Sequence, residues 1–444
     1  MSRRLALVTA LSGLALLLGP AAGPASAQNV QLAPAPLKAE AAPLSPAQQA
    51  FDQVASRLSE NYAGLSAANR PALIAEYQAR LDAVCQAQAQ KCSAERAYPV
   101  IEAELTALGD PHTFLHWPDE YGDFVSSAVG GERLQFGFKL AELDGERRLV
   151  MEVVPGSAAE RAGLQRGDVL RELNGQPYTY SAVTEAREAN QFIHLGVERG
   201  SEHLNVTLRA ARSASLDLPR LSWVDRAGQP AAAKSKGAVA LLRIPTFLSG
   251  GEVADRVHGA VAQANARHAA GLVVDLRGNS GGSLQECDLA VSAFVPEFRR
   301  VAQGARSQTV TRVKAGRRWE GQTLTGRVES PQRWRGPLAV LVDGGSASCA
   351  EFFAYEVQYA GAGQVIGAAT AGVGNTATRV YPLTGGGGLQ MTVLHYLKPD
   401  GVAYPLQVQP DAPAAGGEAF TRALAQGRDL GLEAAVAALA LQPQ

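Results

Sequence analysis

The sequence is short of any charge excess: 41 lysines and arginines stand against 42 aspartates and glutamates, a formal net charge of −1 over 444 residues. Binding to a phosphate backbone needs a clear basic surplus, and no basic run interleaved with aromatics occurs, so no nucleic-acid partner is expected. Cysteine is scarce, four in all, and none forms a Cys-x-x-Cys pair of the kind that presents thiolates to zinc. Neither a metal nor an organic cofactor is implied. Long apolar runs are also missing, apart from one at the N-terminus. There Arg3 and Arg4 precede an apolar stretch from Leu5 to Leu18, followed by Ala25-Ser26-Ala27. This is the pattern of a secretory signal peptide, residues 1–27, cut after Ala27. The apolar stretch is shorter than the roughly 20 residues that a membrane-spanning helix needs. The expectation is an exported protein, periplasmic or secreted, with no membrane span in the mature chain.

What is present is ordinary for a folded protein, with 46% hydrophobic and 19% charged residues. The length allows two or three domains. Export favours disulfides. Cys85 and Cys92 would lie about 10 Å apart on one continuous helix, too far to bridge, so their pairing requires a chain reversal between them. Ser93 is a plausible cap for the helix that would follow. Cys287 and Cys349 either pair or stay buried as thiols.

Residues 28–44 are Ala/Pro-rich and read as a linker. Ser45-Pro46 then opens a helical segment, 45–129, with apolar residues at helical spacing in "FDQVASRLSENY", "ALIAEYQARLDAV" and "YPVIEAELTALGD". From 130 to 211 the texture changes to strands, "LQFGFKLAE", "RRLVMEVVP" and "LNVTLRA", around "PGSAAERAGLQRGDVL". This block resembles a PDZ domain. The resemblance implies that Phe136, Gly137 and Phe138 form the loop whose amides hold a chain's terminal carboxylate, with the bound tail added as a strand. One of the two phenylalanines is expected to be core.

A linker, 212–236, leads to the last segment, 237–444. There "LVVDLRGNSGGSLQECDLAVSAF" and "PLAVLVDGGSASCAEFFAYEVQYAG" repeat a plan of buried strand, glycine turn and helix, which argues an α/β core. Helical segment, PDZ domain and α/β core, in that order, resemble the C-terminal processing (tail-specific) peptidases, a family that includes tricorn-like enzymes. The resemblance covers nearly all of the mature chain. It rests most heavily on "DLRGNSGG" and "SASCAE".

A serine hydroxyl needs a base to take its proton and amide donors for the oxyanion that forms. Ser348 matches the family's nucleophile, with Ser346 as a turn or cap residue. The resemblance assigns the oxyanion donors to the amides of Gly281 or Gly282 and of Cys349. The base departs from the pattern. In the processing peptidases a lysine deprotonates the serine and a glutamine four residues later steadies it; here Val373 and Ala377 occupy those positions. The tricorn-like branch uses a histidine, and His112 in "GDPHTFL" stands at the matching place, with Asp110 near enough to orient it. That branch's late glutamate is missing, with Pro405 near its position. An imidazole titrates near neutrality and suits general-base work. His395 and Lys398 are weaker candidates, and Asn375 and Thr376 could either contact substrate or serve the turn. Glu351 is expected to lie along its own helix, and His258 and His268 at the surface. Two functions follow: a serine endopeptidase cutting proteins or peptides recognised by their C-termini, or an inactive pseudo-peptidase that only binds such tails.

Overall fold

The computed structural model describes residues 43–128, 131–214, 217–248 and 250–442. The expected signal peptide and residues 28–42 of the expected linker lie outside these. No helix among the described residues is long and apolar enough to cross a membrane.

The α/β core is a six-stranded sheet. Its order is Ala412–Pro413, Gln364–Gly367, Leu338–Val342, Leu272–Asp275, Val239–Arg243 and Arg220–Val224, all parallel except the last pair. "LVVD" and "LAVLV" are buried at every position, as strands covered on both faces must be. Their side chains alternate. Leu272, Val274 and Val340 face a core built with helices Val253–Ala266, Leu284–Val291 and Cys349–Tyr359. Val273, Ala339 and Leu341 face Leu432, Ala435 and Val436 of the C-terminal helix Leu430–Leu439. The stretch expected as a linker, 212–236, is not one. It holds the strand Arg220–Val224 at the edge of this sheet and part of the strand Ala211–Ala214, paired with Glu132–Gln135. Apolar Leu221, Trp223 and Val224 are what dock it.

A second, antiparallel sheet joins Phe114–His116, Gly388–Leu397, Glu297–Gln303, Gln308–Lys314, Arg317–Glu320 and Thr323–Arg327 in that order, with Thr376–Pro382 also on Gly388–Leu397. No strand is expected from the sequence over 297–327, where arginines interrupt the apolar alternation. Two of these arginines turn inward instead. Arg300 and Arg318 both bond the buried Asp288 carboxylate. Arg300 also lies over the rings of Phe352 and Tyr396, where a desolvated cation is attracted to the π faces.

The helical segment packs Pro46–Glu60, Arg70–Cys85 and Ala94–Leu108 around Phe51, Leu58, Leu81, Tyr98 and Ile101. Cys85 ends one helix, a short 3-10 turn Ala89–Lys91 reverses the chain, and Cys85 and Cys92 are joined as a disulfide with Cα atoms 5.5 Å apart. Closing so short a loop restricts the unfolded chain by about 2.5 kcal/mol in the chain-entropy model. The double variant Cys85→Ser/Cys92→Ser is therefore expected to lose about 2 kcal/mol of stability in a denaturant titration. Cleavage activity should persist below the new transition.

Glu104 lies fully buried on the same helix bundle, and neither carboxylate oxygen has a hydrogen-bond partner. Burial pushes its carboxyl up to about 7. The folded chain then holds a proton that the unfolded chain releases near pH 4.5. The contribution is complete below that pH and is lost as pH rises through about 7. Glu104→Gln is expected to raise the melting temperature at pH 8 and change it little at pH 4. An equal effect at both would contradict this account.

The PDZ block is a five-stranded sheet in the order Phe138–Glu142, Arg148–Val153, Val169–Leu173, Phe192–Arg199 and Glu202–Arg209. It is tied to the α/β core by charge. Glu152 pairs with Arg220 and Arg243, and Arg166 with Asp429, which also holds Arg277.

Candidate active site

Adjacent parallel strands deliver their C-terminal loops to the same end of the sheet, where α/β proteins place their sites. Three such loops meet here. One follows Leu272–Asp275 and carries Gly278 to Gly282. The second follows Leu338–Val342 and carries Ser348. The third follows Gln364–Gly367 and carries Thr370 to Asn375. Hydrogen bonds stitch them together: Gly278 N–H to Asp343 Oδ1 at 2.8 Å, Ala347 N–H to Asn279 O at 2.9 Å and Ala371 N–H to Ser346 O at 3.0 Å. The buried hydroxyl of Ser346 donates to Leu276 O at 2.8 Å, as a side chain that ties a turn does.

Ser348 is the residue before the helix Cys349–Tyr359, with φ 53° and ψ −114°. For a residue with a Cβ this is a strained conformation, of order 1–3 kcal/mol, that persists only where its surroundings enforce it. A sharp strand-to-helix turn of this kind lifts a serine Oγ clear of the backbone. Phe352 and Phe353, buried in the core, hold the helix in place; Phe353 stacks on Phe247 at 6.2 Å between centroids. The Ser348 side chain is half-buried, and Ser348 and Glu351 form a capping box at the start of the helix.

Glu351 has a larger part than its expected place along the helix implies. Its carboxylate is buried and accepts four hydrogen bonds: from Ser348 N–H at 2.8 Å, Val373 N–H at 3.1 Å, Gly372 N–H at 2.8 Å and Thr370 Oγ1 at 2.6 Å. One side chain thus clamps the third loop to the serine turn. Burial raises its pKa and these donors oppose the rise. With its lone pairs engaged, it is no base for Ser348. A glutamate three residues after a cap position is a recognised capping signal and could have flagged the contact to Ser348. The clamp on the third loop depends on residues far away in sequence.

Of the three expected oxyanion donors, one is occupied. Gly281 donates its N–H to Asn279 Oδ1 at 2.8 Å. The N–H groups of Gly282 and Cys349 have no protein acceptor among the described residues, and the latter stands at a helix N-terminus, where amides carry partial positive charge. Gly281 serves by its lack of a side chain. At φ 97° its added Cβ would sit 2.8 Å from Ser348 Cβ and 2.9 Å from Ala347 O. Cys287 and Cys349 are free, buried thiols, donating to Cys349 O at 3.0 Å and to Gly282 O at 3.1 Å respectively.

His112 comes from the turn between helix Ala94–Leu108 and strand Phe114–His116, and is only 7% exposed. Its backbone N–H donates to Asp110 Oδ1 at 3.0 Å, and its Nδ1 lies 2.7 Å from Thr376 Oγ1. Burial pulls the imidazole down to about 4, with Asp110 opposing. No hydrogen bond joins it directly to Ser348. It is attached to the same third loop, because Thr376 Oγ1 donates to Val373 O at 3.1 Å while Val373 N–H shares the Glu351 carboxylate with Ser348. His116, four residues on, turns to Gln390 instead, so the two imidazoles do not form a metal pair. Among the described residues no cluster of three metal-ligating side chains exists.

The remaining candidates have other partners. His395 Nδ1 lies 2.9 Å from Ala63 O, and Lys398 sits over the Tyr359 ring. Asn375 is buried and accepts from Tyr396 N–H at 2.9 Å, so it serves the fold. His268 is exposed as expected. His258 is not: it is buried, its Nε2 near Leu289 O and its Nδ1 accepting from Gln332 N–H. The apolar face of its helix extends further round than the sequence pattern implies.

In the PDZ block, Phe136 is core and Phe138 half-buried, stacked at 6.1 Å. Gly137, at φ 90°, packs so closely on Ser157 that a Cβ would fall 2.0 Å from its Cβ. Among the described residues the strand Phe138–Glu142 pairs only with Arg148–Val153 and so forms an edge of its sheet, the kind of edge to which a strand can add.

A strained serine turn beside unpaired amides on a parallel sheet, joined to a PDZ block, defines a serine-peptidase class of architecture. Residues 238–414 match the peptidase family S41 model and residues 149–191 a PDZ domain. The chain thus joins a segment matching the S41 peptidases to one matching a PDZ domain. It is 28% identical over 320 residues to a carboxyl-terminal-processing protease of Synechocystis sp., covering 69% of this chain and 67% of that one. To a CtpA-like serine protease of Staphylococcus aureus it is 26% identical over 307 residues, covering 68% of this chain but only 56% of the relative. Its fold is similar to that of the photosystem II D1 C-terminal processing protease, with a TM-score of 0.52 at 19% identity, covering 87% of this chain and 100% of that one. It is also similar to an S41 protease of Bacteroides fragilis, with a TM-score of 0.58 at 15% identity, covering 88% and 98%.

Proposed function

We propose that this protein is an exported serine endopeptidase that cuts proteins or peptides recognised by their C-termini, with Ser348 as nucleophile and His112 as base. The conformation of Ser348 carries the reading: its backbone strain at a helix N-terminus, beside the unpaired Gly282 and Cys349 amides, is expensive unless it serves an acyl transfer. In the mechanism His112 takes the Ser348 proton as Oγ attacks the scissile carbonyl. The two amides hold the oxyanion, and His112 returns the proton to the leaving amine. Water then repeats the sequence on the acyl-enzyme. The open edge of Phe138–Glu142 would take the substrate tail as an added strand, with the Gly137 loop at its carboxylate. The N-terminal apolar run and the Cys85–Cys92 disulfide support export.

The test is cleavage of an unfolded protein with an apolar C-terminus by the wild type and His112→Ala across pH. A base that is neutral above about pH 4 predicts an acid limb of kcat/KM near that value. His112→Ala should lose roughly 10²–10⁴-fold at pH 7. An unchanged rate in His112→Ala would remove it from the mechanism.

The alternative, a pseudo-peptidase that binds tails without cutting them, is favoured by Val373 and Ala377 in the lysine and glutamine positions and by the missing Ser348–base hydrogen bond. It predicts tail binding with no cleavage of any substrate.

A further inference from the structure

We propose that Thr376 is a positioning residue, holding His112 in the tautomer protonated on Nδ1 so that Nε2 is left as the free base. This rests on the peptidase reading above. Thr376 Oγ1 carries one proton and has two neighbours, Val373 O at 3.1 Å and His112 Nδ1 at 2.7 Å. The carbonyl can only accept. When the hydroxyl proton goes to it, the short contact to the imidazole is completed by an Nδ1–H donating to the hydroxyl oxygen. Nδ1–H to Thr376 to Val373 O is then a continuous chain in which each bond polarises the next. The opposite arrangement would put the ring proton on Nε2 and leave no lone pair for the serine proton.

Several contacts fix the pair. Thr376 and His112 are both buried, so water does not compete for the contact. Asp110 accepts from the His112 N–H and from Thr113 Oγ1 at 2.8 Å, holding the backbone on either side of the ring. Thr376 opens the strand Thr376–Pro382 opposite His395, whose own ring is tied to Ala63 O. Among the described residues Nε2 has no protein partner, and it is not among the buried polar atoms left without one. The residue in the lysine position therefore contributes through its backbone. Val373 N–H goes to the Glu351 carboxylate that holds Ser348, and Val373 O fixes the hydroxyl that orients His112. Its aliphatic side chain need do nothing.

The experiment is nitrogen-15 NMR of the His112 ring in the full chain, with kinetics of Thr376→Val and Thr376→Ser. The wild type is expected to show Nδ1–H, and Thr376→Val a mixture of tautomers. Thr376→Val, which keeps the shape but removes the hydroxyl, should lower kcat by about 10–100-fold with KM nearly unchanged, less than the loss of the base itself. Thr376→Ser should keep the Nδ1–H tautomer and restore most of kcat. A wild type protonated on Nε2, or a Thr376→Val with wild-type tautomer and kcat, would overturn the proposal. Should the wild type show Nδ1–H, shifted in Thr376→Val, but cleave nothing, the peptidase reading falls while the orientation of His112 by Thr376 stands.

Discussion

Ser348→Ala is expected to reduce cleavage to background, a loss on the order of 10⁶-fold by comparison with nucleophile removal in other serine peptidases. The covalent intermediate cannot form without Oγ, and whatever remains comes from the oxyanion donors and from binding alone. The variant also separates chemistry from stability. Alanine meets the same backbone strain at φ 53° that serine does, and gives up only the serine's part in the capping box, about 1 kcal/mol. Its melting temperature should therefore lie within a few degrees of the wild type's, and its affinity for a tail peptide should be unchanged. Persistent cleavage by Ser348→Ala would show that another residue is the nucleophile.

The second large effect is expected at Glu351, and there chemistry and stability fail together. Removing the carboxylate in Glu351→Ala orphans the N–H groups of Ser348, Gly372 and Val373 and the hydroxyl of Thr370. An unsatisfied buried donor costs about 1–3 kcal/mol, and the site's partial access to water limits the sum to about 3–5 kcal/mol. The serine turn and the loop that orients His112 are then no longer held together. Activity should fall by at least about 10²-fold even in conditions where the variant stays folded, since small misplacements of catalytic groups have effects of that size. Glu351→Gln keeps one acceptor oxygen and should fall between the two. A folded, fully active Glu351→Ala would contradict the clamp.

Much of this was legible in the sequence, for identifiable reasons. The buried parallel strands "LVVD" and "LAVLV" announce themselves by unbroken apolar runs, and the glycine turns after them mark the site end of the sheet. Helix geometry tied the Cys85–Cys92 pairing to a chain reversal, with Ser93 as the cap of the helix that follows, and the structure has both the reversal and the bond. Other features could not be read, because they depend on what distant residues do. Strands over 297–327 are masked by Arg300 and Arg318, which are inward-facing only because Asp288 receives them. Gly281 reads as an amide donor until Asn279 is seen to occupy it. Thr376 looks like turn chemistry in a linear reading. Its contact with His112 spans 264 residues and two strands of one sheet.

The most direct test is labelling of the protein with a fluorophosphonate, with the adduct located by mass spectrometry in the wild type, Ser348→Ala and His112→Ala. An activated serine predicts a single adduct on Ser348, absent from Ser348→Ala and formed far more slowly in His112→Ala. A wild type that binds a C-terminal tail peptide yet leaves Ser348 unlabelled would contradict catalysis and identify a binding protein built on a peptidase fold.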